Sequence, residues 1–336
     1  MTEQKQAIDP NLVRALTEAA TSAGYAPSVH NTQPWRWRVQ PDRLELFATR
    51  ERQLSATDPE GRLLMLSCGA ALHHAQVALA AEGWTIEIHR MPAGGDPDLL
   101  ANLVPTGRAP AAAEAMRLVQ AMQVRRTDRR PVSPEQVPAS SVDAIAAAAS
   151  DGVGLQVLDR NQVVELASAA TRAGSVEAAD RQIAAELEYW TSRAAAEGIG
   201  LPESALPEQS PQTTVPGRDF GRTGTLPVGS GHDRAAVYAV LFGDDDEPEG
   251  WLRGGEVMSA AWLAATTLGV SVLPLSGVVE VSTTRQTLRR ILSGLGYPYI
   301  VLRLGLADPE HAGPPRTPRM PAAQLVDTAP VRSALP

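Results

Sequence analysis

The sequence predicts an α+β protein of two similar halves, fused in one chain as an internal pseudo-dimer. Two observations predict it. A pattern of helix, glycine and strand occurs once early, around Gly83, and once late, around Gly269, 186 residues further on. The 336 residues, 43% of them hydrophobic, also suffice for two domains or one fused double domain with a large buried core. Similar βα units also arise without duplication, so the recurrence alone leaves that alternative open.

Asp9-Pro10 places a cap and then a proline at the start of a first helix, which Gly24 closes. After the segment APSVHNTQPW, the alternation WRWRV, a turn at Gln40 to Arg43 and the run LELFA read as a β-hairpin. Asp58-Pro59 opens a second helix running to Gly83, and WTIEIHR follows as a strand with Trp84, Ile86 and Ile88 on one face. Pro105 to Ala113 reads as a crossover, giving a first half over 1–112 and a second over 113–336. In the second half AVYAVLFG is a strand, DDDEPEG a turn, Trp251 to Leu268 a helix stopped by Gly269, and VSVLP a strand. Residues 198–231 hold five prolines and seven glycines. So long an irregular insertion is either a functional cover, with Phe220, Arg218 and Arg222 reaching the site, or a mobile excursion.

Composition excludes several classes. Lys5 is the single lysine among 30 basic residues, so neither a P-loop nor a pyridoxal Schiff base has its lysine at a workable position. No GxGxxG occurs; Gly152-Val153-Gly154 lacks the third glycine. A net charge of −8 argues against nucleic acid as a partner. Leu63 to Ala81, interrupted by Ser67, His73, His74 and Gln76, reads as a buried helix and not as a membrane span. One cysteine, Cys68, and a Met1–Asn11 start without signal-peptide character point to a reducing cytoplasm.

The densest basic run is Arg125, Arg126, Arg129 and Arg130, interleaved with Thr127 and Asp128. Guanidinium forks with a nearby hydroxyl suit a phosphate. A solvated helix start neutralised by Asp128 suits the run equally well. The segment from Ala26 to Trp35 places small hydrogen-bonding side chains between two prolines, which fits a polar ring or sugar chain, or an ordinary turn. His73 and His74 are adjacent and point about 100° apart on a helix, so they read as packed residues and not as a metal pair. Cys68 reads as a small core residue, and Trp35 and Trp37 as one buried strand face.

These motifs resemble those of a known superfamily. APSVHNTQPWRW is similar to the nitroreductase signature of Pro-Ser, Asn and Gln-Pro-Trp, and RRTDRRPV at Arg125–Val132 to its Arg-Arg-Ser-x-Arg phosphate motif. LPLSG at Leu273–Gly277 resembles its flavin-facing strand end, and RTPRMP at Arg316–Pro321 its C-terminal phosphate clamp. The four occur in the expected order over nearly the whole chain, and their doubled layout looks like the Acg family of FMN-binding, nitroreductase-like proteins.

The resemblance implies a nitroreductase-like fold, each half a mostly antiparallel sheet packed by helices, and one FMN per chain, since each half carries only one of the two main motifs. It implies a cofactor-binding set of Ser28, Val29, His30, Asn31, Thr32, Arg125, Arg126, Thr127, Arg129, Ser276, Gly277, Arg316 and Arg319. Within it Arg125, Arg126 and Thr127 meet the phosphate and ribityl chain, and Arg319 with Arg316 closes on the phosphate. Arg129 lies at the pyrimidine edge, and the Gly277 amide faces the flavin N5. The implied activity is NAD(P)H-dependent reduction of nitro compounds or quinones by a monomer; the alternative is an FMN-sequestering protein whose cover limits turnover. Ser276 stands where many relatives carry glutamate, and Pro131 where an aromatic is usual, which puts ordinary nicotinamide turnover in doubt.

Overall fold

Asp9 caps helix α1 (Pro10–Ala23) by accepting the Asn11 amide at 2.9 Å, as its Asp-Pro start requires. The computed structural model describes residues 9–150, 152–229, 231–307 and 313–334; Lys5 and most of the Met1–Asn11 start lie outside them. A hairpin follows, β1 (Trp35–Val39) and β2 (Leu44–Ala48), closed by the Gln40 amide on the Arg43 carbonyl at 2.9 Å. Its alternation buries Trp35 and Trp37 completely and leaves Arg36 and Arg38 to stack over Phe47.

Helix α2 (Arg62–Ala81) begins later than the Asp58-Pro59 signal suggests, because Gly61 adopts a left-handed φ of 78° just before it. Asp58 still serves the helix end, accepting the Leu64 amide at 2.9 Å. Next come β3 (Trp84–Arg90), β4 (Leu99–Arg108) and α3 (Ala113–Val124). The strand continues through Pro105, where the sequence suggested a crossover. Beyond Leu103 β4 is paired only with β3, and a register irregularity at Thr85/Ile86 accommodates the proline.

After α3 the chain runs through α4 (Ala139–Ala146), β5 (Val153–Val157), α5 (Arg160–Ala179), α6 (Arg181–Thr191), an irregular segment, and β6 (Val237–Gly243). It continues with α7 (Pro248–Thr267), β7 (Val270–Leu275), α8 (Gly277–Glu280), α9 (Ser282–Ile291) and β8 (Tyr297–Leu306). Helix α7 starts at Pro248, earlier than the Trp251 read from sequence, because proline suits the first helical position. The tail ends in α10 (Ala322–Leu325) and β9 (Val326–Asp327).

The two sheets repeat one another. The first has the order β3-β4-β2-β1-β9, and the second, read from its other edge, is β7-β8-β6-β5. All pairs are antiparallel except β1–β9, which is parallel and brings the tail back to the first half, Trp37 opposite Val326. Helix α2 maps onto α7, and β3 starts where β7 does, at the same 186-residue offset. Gly83 and Gly269 stop the two helices with φ of 78° and 71°. Among the described residues α2 is the one helix long and apolar enough to cross a membrane; it is packed against α1 and α7, 83% buried.

Candidate functional site

The segment from Ser28 to Gln33 has a backbone that few side chains adopt. His30, Asn31 and Gln33 have φ of 45°, 57° and 48°. Such conformations cost about 1–3 kcal/mol each and persist only where surroundings enforce them. The Ser28 hydroxyl accepts the Gln33 amide at 2.9 Å, and the Ser67 hydroxyl accepts that of Val29 at 3.2 Å. The Asn31 amide nitrogen donates to the carbonyls of Gly200 (3.1 Å) and Pro318 (2.9 Å). Gln33 donates to the Gly198 carbonyl at 2.7 Å, and its oxygen accepts the Met320 amide at 3.0 Å. Two side-chain amides thus tie the 198–231 segment and the tail to one loop.

The arginine run splits by role. Arg130 turns inward against Asp128 at 2.7 Å, and the buried Arg303 pairs Asp233 at 2.8 Å while donating to the Asp128 and Arg130 carbonyls. Arg126 folds back onto the carbonyls of Gln123, Val124 and Arg125. Thr127 forms a bridge beside Val272 of β7. Arg125 is buried, stacks on the Trp262 ring at 4.4 Å and donates once, to the Tyr25 carbonyl at 3.4 Å. Its Nε and Nη1 are buried with no partner. Burial, then Arg319 and Arg126, push its pKa well below that of a free arginine.

Arg319 approaches Arg125 from the tail. It donates to Asn31 Oδ1 at 3.1 Å, Thr317 Oγ1 at 2.6 Å and the Tyr25 carbonyl at 3.3 Å, all neutral oxygens, and burial lowers its pKa to about 10. Arg129, lowered to about 10 by burial, donates to the Ala205 carbonyl at 3.2 Å and lies over the Phe220 ring at 5.5 Å. Among the described residues no carboxylate forms an ion pair with Arg125, Arg129 or Arg319.

These groups line a cavity of about 320 Å³ between the halves. Ser28, Val29, His30 and Asn31 come from the first half, Arg125, Thr127, Arg129, Ser276 and Gly277 from the second, and Arg319 from the tail. Thr32, Arg126 and Arg316 do not line it: Thr32 is fully buried behind the loop, Arg126 is half-buried on its own carbonyls and Arg316 is exposed. Phe220 meets His30 edge-on, ring centroids 5.9 Å apart. Burial, with Arg218 and Arg129 nearby, keeps His30 neutral, and its Nε2 has no partner. Arg222 turns away, to Glu203 and the Thr191 carbonyl.

Sequence reasoning missed Trp262, Glu177 and Thr317 in the lining, and Gln33 as a clamp. Gln33 carried a signal in its polar run between two prolines, and Thr317 in the RTPRMP motif; Trp262 and Glu177 carried none. Elsewhere His73 Nδ1 meets Ser259 Oγ at 2.9 Å, and Cys68 is a buried free thiol against the Pro34 carbonyl.

Two antiparallel α+β halves, joined through crossing helices and holding a cationic cavity between them, form a nitroreductase-like fold. No family model matches the chain. It is 38% identical over 317 residues to the Mycobacterium tuberculosis protein named "Putative NAD(P)H nitroreductase Rv3131", covering 91% of this chain and 89% of that one. It is 35% identical over 316 residues to "Putative NAD(P)H nitroreductase acg" of the same organism, covering 92% and 94%. The FMN-dependent nitroreductase NfnB from Mycobacterium smegmatis, solved in complex with NADPH, is 17% identical and covers 63% of this chain and 97% of that one, with a TM-score of 0.39. The chain belongs to the Acg family of nitroreductase-like proteins.

Proposed function

We propose that this chain is an FMN-binding oxidoreductase that passes electrons from NAD(P)H to nitro compounds or quinones. Arg125 carries the reading: a buried guanidinium at the edge of a cavity with two unpartnered donor atoms and, among the described residues, no ion-paired carboxylate. Burying an uncompensated cation is costly, and a phosphate of about −1.5 to −2 charge removes that cost. The rest of the donor set fits a flavin mononucleotide: Arg319 beside Arg125, the Thr127 hydroxyl and the polar Ser28–Asn31 loop, in a cavity that also has apolar wall residues such as Leu273 and Trp262.

Arg125 and Arg319 hold the phosphate, with Thr127 toward the ribityl chain, and Ser28 to Asn31 approach from the opposite half. Arg126 and Arg316, outside the lining, contribute only long-range charge. Arg129 provides a fixed positive charge where negative charge develops on reduction. Bound there, FMN supplies a two-electron carrier. Ser276 and Gly277 form the strand end beside it. The division near residues 112 and 113, with the cover over 198–231, assigns one main motif to each half, so a monomer in a reducing cytoplasm suffices.

Acid release and quantitation of flavin test this reading, with about one FMN per chain expected. A ratio near two, or none after FMN supplementation, refutes it. Anaerobic mixing with NADH or NADPH then bleaches the flavin of a reductase and leaves that of a sequestering protein yellow.

A further inference from the structure

We propose that Glu177 is the proton donor of this cavity, positioned by Arg218. The proposal rests on the reductase reading above. Glu177, at the end of α5, is 6% exposed and lines the cavity, whereas Asp219, the other acidic residue in the lining, is exposed. Its carboxylate lies against the Gly277 backbone, where a Cβ would stand 2.8 Å from Oε1. Arg218, from the irregular segment, pairs Glu177 at 3.2 Å and Glu280 of α8 in direct contact. The three side chains are 7%, 7% and 4% exposed, and Arg218 Nη1, in the cavity wall, has no hydrogen-bond partner.

One cation facing two buried carboxylates leaves a net negative cluster, which favours the uptake of a proton. The other charged groups facing it are Glu186 of α6, which acts on Arg218, and Asp58, which lies near Glu280; His30, also beside Arg218, is neutral. Burial raises the Glu177 pKa, Arg218 lowers it and Glu280 raises it, with a net upward shift. Asp58 is pushed up to about 7, mainly by burial.

The chemistry requires such a donor. Oxidation of NAD(P)H breaks one C–H bond and delivers a hydride, which is one proton with two electrons. A quinone becoming a hydroquinone forms two O–H bonds, so the second hydrogen arrives as a proton from the Glu177 Oε–H. The carboxylate left behind faces Arg218 and takes a proton back from water entering the cavity.

Infrared spectroscopy of the FMN-loaded protein, together with Glu177→Gln and Glu177→Asp, tests the assignment. At pH 7 the wild type is expected to show the carbonyl stretch of a protonated carboxyl group that Glu177→Gln lacks. Quinone turnover of Glu177→Gln is expected to fall by about 10²-fold with FMN affinity unchanged, and Glu177→Asp to recover part of it with a shifted pH profile. An infrared signal unaltered by Glu177→Gln overturns the proposal, as does wild-type turnover in that variant or an FMN-loaded wild type that reduces no quinone. A wild type that takes up no FMN overturns the reductase reading instead, and the infrared comparison still decides whether Glu177 holds the proton.

Discussion

Gly69 and Gly255 meet where α2 crosses α7: a Cβ on Gly69 would stand 2.0 Å from the Leu252 carbonyl oxygen and 2.9 Å from the Gly255 Cα. The reverse holds for Gly255, whose Cβ would lie 2.1 Å from the Leu66 carbonyl. The two glycines are 186 residues apart, the separation of the hydrogen-bonded pair His73 and Ser259 on the same helices. Residues that each touch their own counterpart mark a twofold relationship, here within one chain. Both clashes are with backbone, which cannot swing aside. Gly69→Ala and Gly255→Ala are therefore expected to destabilise by about 3 kcal/mol or more, whereas Gly174→Ala, with nothing near its Cβ, should be neutral or stabilising. Urea denaturation of the three variants gives the comparison, and equal midpoints would remove the crossing from the account.

Arg125 and Arg319 should matter to an anionic ligand far more than Arg316. Each charge-assisted bond to phosphate contributes about 1.5–3 kcal/mol, so Arg125→Ala and Arg319→Ala are each expected to weaken FMN binding by about one to two orders of magnitude. Arg316→Ala, exposed and outside the lining, should cost far less. Titration of apoprotein with FMN measures all three. Similar losses for Arg316→Ala and Arg125→Ala would show that general positive charge, not the buried fork, sets affinity. Arg319 also braces Asn31, so part of its loss should appear as looser tail packing.

Local signals in the sequence specified local structure. WRWRV alternates and buries its tryptophans, and Gly83 and Gly269 end their helices in the left-handed conformation that glycine favours. The Arg125–Arg130 run was visible, but its division into inward, backbone-bound and cavity-facing side chains was not, because Asp233 and Arg303 are distant in sequence. The Gln33 clamp reaches Gly198 and Met320, 165 and 287 residues away, and no periodicity reports such partners. Glu177 carries no signal in the sequence; it is set apart by Arg218 and Gly277, both distant along the chain.

Asp58 makes stability depend on pH. Its folded pKa is about 7 against an ordinary 3.8, so between those values the folded state holds a proton that the unfolded chain has released. Its contribution to stability is thus fully present below about pH 4, falls as pH rises toward 7, and is constant above. Asp58→Asn keeps an acceptor for the Leu64 amide and carries no charge. Its advantage over wild type should therefore grow from pH 5 to pH 8, toward a limit of about 4 kcal/mol at about 1.4 kcal/mol per unit. Thermal unfolding of both proteins across that range checks the slope. A difference independent of pH would mean that Asp58 is ionised throughout.

The segment over the cavity is held at its base. The Glu208 amide donates to the Leu226 carbonyl at 2.9 Å, while Pro211 to Phe220 project between them into the cavity wall. Replacing 209–225 by a short Gly-Ser link should leave Glu208 and Leu226 in register yet remove Phe220 from His30 and Arg218 from Glu177. Phe220→Ala isolates the ring contact, which is worth about 1 kcal/mol, and keeps Arg218. If the segment covers the flavin, anaerobic bleaching by NAD(P)H should quicken and FMN should bind more weakly in both variants, the more so in the shortened one. Ordering an irregular stretch of this length is entropically costly, and contacts across the cavity are what offset it. Unchanged rates and affinity in both variants would show that the segment borders the site without controlling entry to it.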